Sequence, residues 1–185
     1  MTLAELLAKT AMAESHNVRV GEIHGMAQRG GHVMCTVRIG LGVRGPIIDA
    51  GTADVLVGFE PIETLRELHL LREGGHVIMN THVVCPVAVS MGTVEYPPQD
   101  VVLSKLHART SSVIHFDATE IAQQAGSTAS LNIVMMGAII ASGVVPVRRD
   151  TALDTITSSF PSRFRSVNEA AFSSGFEMAR RALST

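Results

Sequence analysis

Apolar residues recur along this chain at two spacings, one typical of helices and the other typical of strands. Leu3, Leu7 and Ala11 follow the helical spacing, which predicts an amphipathic helix over residues 2–15. Residues 33–39 carry an apolar side chain at every second position, as in a strand with one apolar face. The same criteria predict further strands at 18–23, 53–59, 76–80 and 112–116 and further helices at 61–73, 99–108, 118–124, 130–142, 151–158 and 166–183.

Local signals indicate where several of these helices begin and end. Pro61 suits a first helical turn, where its missing N–H costs nothing, and the helix that it opens is predicted to stop at Gly74. Asp150 is predicted to cap the helix that follows it. Ser166 and Glu169 have the spacing of a capping box at the start of the last helix. That helix is predicted to present one apolar face, made by Phe172, Phe176, Ala179 and Leu183.

The order of the predicted elements indicates the fold class. Strands and helices alternate through most of the chain, which predicts a three-layer α/β/α fold with a mostly parallel sheet. There is no internal repeat and no low-complexity linker. A single domain covering residues 1–185 is therefore predicted.

Composition and charge exclude several classes of protein. Hydrophobic residues make up 46% of the chain and charged residues only 17%, which argues against disorder. The net charge of −2 provides no basic surface for nucleic acid. Polar residues, glycines and a proline interrupt the longest apolar stretch, residues 131–147, so a buried helix is predicted and no membrane contact. The two cysteines, Cys35 and Cys85, lie far apart and cannot hold an iron–sulfur cluster alone, and a reducing, cytoplasmic location is predicted.

An arginine and two glycines lie between the first two predicted strands. Gly30 and Gly31 suit a backbone that bends tightly or approaches another group closely. Arg29 could present its guanidinium to a phosphate or carboxylate, with Gln28 as an accessory hydrogen-bonding group. Alternatively, the glycines form a tight turn or bulge and Arg29 pairs with a local acid such as Glu22. The residues alone leave both interpretations open.

Histidines on both sides of this loop raise the question of a metal. A zinc site needs three or four convergent ligands, and none of the eight histidines has the spacing of a metal pair on one helix. No metal site is predicted, and His24, followed by Gly25, is interpreted as a hydrogen-bonding loop residue.

Polar residues follow two of the predicted strands. Glu60 and Asn80 each lie at the carboxyl end of a strand, where open α/β sheets bind their ligands. A carboxylate at a helix N-terminus is also favourable through the helix dipole alone, so a purely structural role is the simpler interpretation of Glu60. Asn132 lies in an apolar helix and needs a partner if it is buried, which indicates a structural or interface hydrogen bond.

Taken in order, these segments resemble the gamma subunit, or gamma domain, of the 2-oxoacid (pyruvate or ketoacid):ferredoxin oxidoreductases. Within that family the beta subunit of indolepyruvate ferredoxin oxidoreductase is the most similar branch. The string His-Gly-x-x-Gln-Arg-Gly-Gly is the most specific match. The segments that carry the resemblance are 22–31, 37–40, 54–61, 131–138 and 171–177.

The start of the chain departs from the family pattern. Family members usually begin with a strand and a turn of the Gly-x-Gly-Gly-Gln-Gly type that leads into the first helix. Here that helix begins almost at Met1, so the first strand and the glycine-rich turn are missing from the sequence. A shortened start explains this better than a true loss, because removing a central strand would expose unpaired edges.

The resemblance implies a subunit of an enzyme that oxidatively decarboxylates a 2-oxoacid, possibly an aryl pyruvate. It also implies thiamine diphosphate and iron–sulfur clusters in a large partner subunit, coenzyme A as acyl acceptor, and ferredoxin reached indirectly. The chain itself would bind no cofactor alone and supply no catalytic residue. It would line a shared site or interface with His24, Gly25, Gln28, Arg29, Gly30, Gly31, Glu60, Asn80 and Asn132. Which 2-oxoacid is used does not follow from the sequence.

Two other classes of function remain open at this point. The first is a stand-alone Rossmann-like module that binds a nucleotide or regulates, although the missing glycine-rich turn counts against dinucleotide binding. The second is a non-catalytic homo-oligomer, for example a homodimer, whose sheet edge and methionines form the contact surface.

Overall fold

The computed structural model describes residues 2–24, 33–84, 89 and 95–184. Its elements in chain order are α1 (Leu3–Ala13), β1 (Val18–His24), β2 (Val33–Ile39), β3 (Ala53–Gly58), α2 (Pro61–Arg66), β4 (Leu71–Asn80), α3 (Gln99–His107), β5 (Val113–Phe116), α4 (Ala118–Gln124), α5 (Leu131–Ser142), α6 (Arg149–Ser159) and α7 (Arg165–Leu183). The α/β class and a parallel sheet are thereby confirmed. Contacts divide the chain into two compact units, one made of 1–21, 35–48 and 117–185 and the other of 22–34 and 49–116. The single-domain assignment stays a prediction.

A three-stranded parallel sheet forms the centre of the second unit. Its strand order is β3-β4-β5, so β4 pairs on both sides, with Ile78 opposite Val57 on β3 and Ile114 on β5. An apolar stretch of β4 is completely buried, as expected for the central strand of a parallel sheet. Helices α2 and α3 pack against each other. The core of this unit is a buried cluster of Leu71, Val77, Met79, Val102 and Leu106.

The predicted helix end at Gly74 is wrong. Helix α2 already ends at Arg66, a single 3-10 turn follows, and β4 begins at Leu71, so Gly74 lies inside a strand. The pairing with β3 is irregular here, because Ala53 opposes Leu71 while Val55 opposes His76. Gly74 has a φ of +67°, which glycine adopts easily. The glycine signal therefore marks a bulge within a strand, which local sequence cannot distinguish from a helix end.

Helices α1, α4, α5, α6 and α7 form most of the first unit. Residues 133–140 of α5 are buried without interruption, which confirms the predicted buried helix. Among the described parts of the chain, no helix combines the length and apolar character needed to cross a bilayer.

Two glycines let α5 and α7 approach each other closely. A Cβ atom added to Gly137 would lie 2.2 Å from the carbonyl oxygen of Phe172, and one added to Gly175 would lie 2.0 Å from that of Val134. Real Cβ atoms essentially never come this close to backbone. The two helices therefore contact each other through backbone at reciprocal positions, and this contact fixes their separation.

Two predicted helix caps are wrong because each helix begins before the residue that was expected to cap it. Helix α6 begins at Arg149, so Asp150 lies inside its first turn. The backbone N–H of Arg148 instead donates to the Glu14 carboxylate at the end of α1, over 2.9 Å. Helix α7 begins at Arg165 after a 3-10 turn, which leaves Ser166 inside the helix.

The side chains predicted for the last helix are partly rearranged. Glu169 accepts a hydrogen bond from Arg165 Nε over 2.9 Å and does not form the predicted capping box. Phe172 and Ala179 are buried as predicted, but Leu183 is 45% exposed because it lies in the final turn of α7.

We expect Gly175→Ala to destabilise the protein strongly, because the added methyl group must push α5 away from α7. Overpacking of this kind costs about 3 kcal/mol or more, which urea unfolding followed by circular dichroism would measure. Gly45→Ala adds the same methyl group where no atom lies within 4 Å and serves as the control. Equal stability of the two variants would contradict the close helix crossing.

We expect the contribution of Glu14 to stability to disappear in acid. Hydrogen bonds from the Thr151 side chain and the Arg148 backbone lower the pKa of Glu14 from 4.5 to about 2. Because the pKa is lower in the folded state, the stabilisation is complete above pH 4.5 and is lost as the pH falls toward 2. Glu14→Gln should cost about 1 kcal/mol at pH 7 and much less at pH 2.5 in urea unfolding. The exposed Glu177→Gln is the control, and a cost independent of pH would refute this linkage.

Candidate functional site

Asn80 ties together two strand ends at the carboxyl edge of the parallel sheet. Its buried Nδ2 donates to the carbonyl oxygen of Phe59, just beyond β3, over 3.1 Å. Its Oδ1 accepts from the backbone N–H of His82 over 3.3 Å. The N–H of the intervening Thr81 donates to the carbonyl oxygen of Phe116 at the end of β5. All three strands are therefore linked at this edge, and the Asn80 amide is committed to backbone groups.

Glu60 caps the helix that follows β3 and anchors a tyrosine. Its Oε2 accepts from the backbone N–H of Glu63 over 3.0 Å, which satisfies an otherwise unpaired donor of α2. Its Oε1 accepts from the hydroxyl of Tyr96. The Thr64 hydroxyl donates to the Glu60 carbonyl oxygen over 2.7 Å. Since Glu60 is buried and both carboxylate oxygens are engaged, it connects the start of α2 to the chain segment that precedes α3.

The approach of α2 to the end of β3 depends on a glycine. A Cβ atom added to Gly58 would lie 1.7 Å from Thr64 Oγ1. Only a hydrogen atom fits at that position, so the first turn of α2 rests directly on the last residue of the strand. This close approach places Glu60 within reach of both the helix N–H and Tyr96.

The other predicted site residues divide into two groups. Asn132 lies in the first turn of α5, in the first unit, with a half-buried side chain. His24 is the last residue of β1. Gly25, Gln28, Arg29, Gly30 and Gly31 lie outside the described residues, and their role as lining residues stays a prediction.

Sequence reasoning missed Tyr96. Tyr96 is the only tyrosine of a chain that has no tryptophan, and this rarity could have drawn attention to it. Its partner Glu60 is 36 positions away, and no periodicity connects the two residues.

A serine and a histidine lie close together at the amino end of β5. Ser112 Oγ and His76 Nδ1 are 2.7 Å apart, a separation suited to a nucleophile and its base. Burial, and secondarily the positive charge of Arg72, lower the pKa of His76, which favours the neutral ring. The nearby Asp54 carboxylate is bonded to Arg72 Nε over 2.8 Å. We therefore interpret the Ser112–His76 contact as a link between β4 and β5.

Metal binding requires several ligands at one place. Within residues 2–24, 33–84, 89 and 95–184, no three histidine, cysteine or carboxylate side chains converge in a way that could hold an ion.

We expect Tyr96→Phe and Glu60→Ala to lower the free energy of unfolding by different amounts. Tyr96→Phe removes one hydrogen bond to a buried carboxylate and should cost about 2 kcal/mol. Glu60→Ala removes the helix cap as well and should cost about 3 kcal/mol. In the double variant the two costs should not add, because Tyr96→Phe has no effect once its acceptor is gone. Urea unfolding of all three variants tests this.

Asp117→Ala is the control that measures the cost of losing a helix cap alone. Asp117 caps α4 through an Oδ1 contact of 2.8 Å with the N–H of Glu120, and its removal should cost about 1 kcal/mol. Strictly additive costs at Glu60 and Tyr96 would show that the two residues do not share a hydrogen bond.

Comparison with known proteins gives matches over nearly the whole chain. The family described as pyruvate ferredoxin/flavodoxin oxidoreductase matches residues 1–178. Indolepyruvate oxidoreductase subunit IorB of Methanothermobacter thermautotrophicus is 42% identical over 174 residues, covering 94% of this chain and 88% of that protein. The IorB subunit of Thermococcus kodakarensis is 36% identical over 184 residues, covering 99% and 91%.

Solved structures share the fold at lower identity. The gamma subunit of a keto/oxoacid ferredoxin oxidoreductase from Geobacter sulfurreducens superimposes with a TM-score of 0.67 at 21% identity, covering 99% of this chain and 90% of that one. A 2-oxoglutarate:ferredoxin oxidoreductase from Magnetococcus marinus gives a TM-score of 0.68 at 14% identity, covering 97% of this chain but only 28% of the other. The same fold is thus also found within a much longer polypeptide. The family match and the identities above 30% establish that this chain belongs to the pyruvate ferredoxin/flavodoxin oxidoreductase family.

Proposed function

We propose that this chain is the small subunit of an indolepyruvate-type 2-oxoacid:ferredoxin oxidoreductase and is active only in complex with a large subunit. The observation that carries the proposal is the similarity to IorB subunits along almost the entire length of both chains. The large subunit would bring thiamine diphosphate and the iron–sulfur clusters, coenzyme A would accept the acyl group, and ferredoxin would accept the electrons.

The cysteines of this chain are too few to hold an iron–sulfur cluster. A cluster of the common type is held by four cysteines, whereas the whole sequence contains two. At the carboxyl edge of the parallel sheet, the described polar groups of Glu60 and Asn80 are already bonded to protein atoms. We therefore assign the oxidative decarboxylation to the partner and a supporting role in the shared site to this chain.

Arg29 is the residue through which we expect this chain to contribute to the shared site. It lies in residues 25–32, which connect β1 to its paired strand β2. Connections carried on a regular scaffold often bear binding residues. A guanidinium can bind the carboxylate of a 2-oxoacid or a phosphate of coenzyme A with two parallel hydrogen bonds.

Co-expression with the large subunit tests the proposal. The two chains should co-purify, and the complex should reduce ferredoxin when supplied with indolepyruvate and coenzyme A, whereas each chain alone should not. Electrons would pass from the oxoacid to ferredoxin, so the absorbance of the ferredoxin iron–sulfur centre reports turnover. A large subunit that neither binds this chain nor depends on it for activity would overturn the proposal.

Arg29→Gln, measured in the same assay, tests the proposed role of Arg29. The variant should still co-purify, while KM for the oxoacid or for coenzyme A rises by about tenfold or more, the change expected when a charged hydrogen bond is lost. Arg180→Gln, which changes an exposed arginine on α7, should leave KM unchanged. Unchanged kinetics in Arg29→Gln would assign Arg29 to a structural role.

A further inference from the structure

We draw no further inference here: the strongest candidate, the open groove between α4 and α7 whose lining includes Ile121, Gln124, Ser173, Glu177 and Arg181, is formed by side chains none of which is buried, and nothing in the structure shows what covers it.

Discussion

The helical unit depends on the close crossing of α5 and α7. Gly137 and Gly175 face the backbone of the opposite helix, so these helices approach more closely than any side chain would allow. Phe172, whose carbonyl oxygen faces Gly137, is completely buried at this crossing. A methyl group at either glycine changes the spacing of the whole helix pair, whereas most substitutions in a core change one contact.

In the unit that contains the parallel sheet, the polar groups at the carboxyl edge serve the fold. Asn80 links strand ends, and Glu60 caps a helix while it holds Tyr96. Groups committed to such contacts are poorly placed to perform chemistry, because withdrawing them leaves buried donors and acceptors unpaired. This agrees with the proposed role of this chain as a subunit that supports a partner's reaction.

Family membership and physical structure describe different aspects of this protein. The family match indicates a 2-oxoacid:ferredoxin oxidoreductase subunit. The structure adds the division into two units and the hydrogen bond between Glu60 and Tyr96. Neither feature follows from sequence similarity, since both depend on which residues come into contact after folding.

Periodicity along the sequence determined most of the helices and strands, because a helix or strand that buries one face repeats its apolar residues at a fixed spacing. It also identified the continuous burial of α5. What only the tertiary structure decided were choices between alternatives that are locally equivalent. Gly74 forms a bulge and not a helix end, and α6 begins before Asp150, where the N–H of Arg148 donates to Glu14. The pairing of Glu60 with Tyr96 likewise joins residues distant in sequence, and no local pattern records which distant group will supply a hydrogen bond.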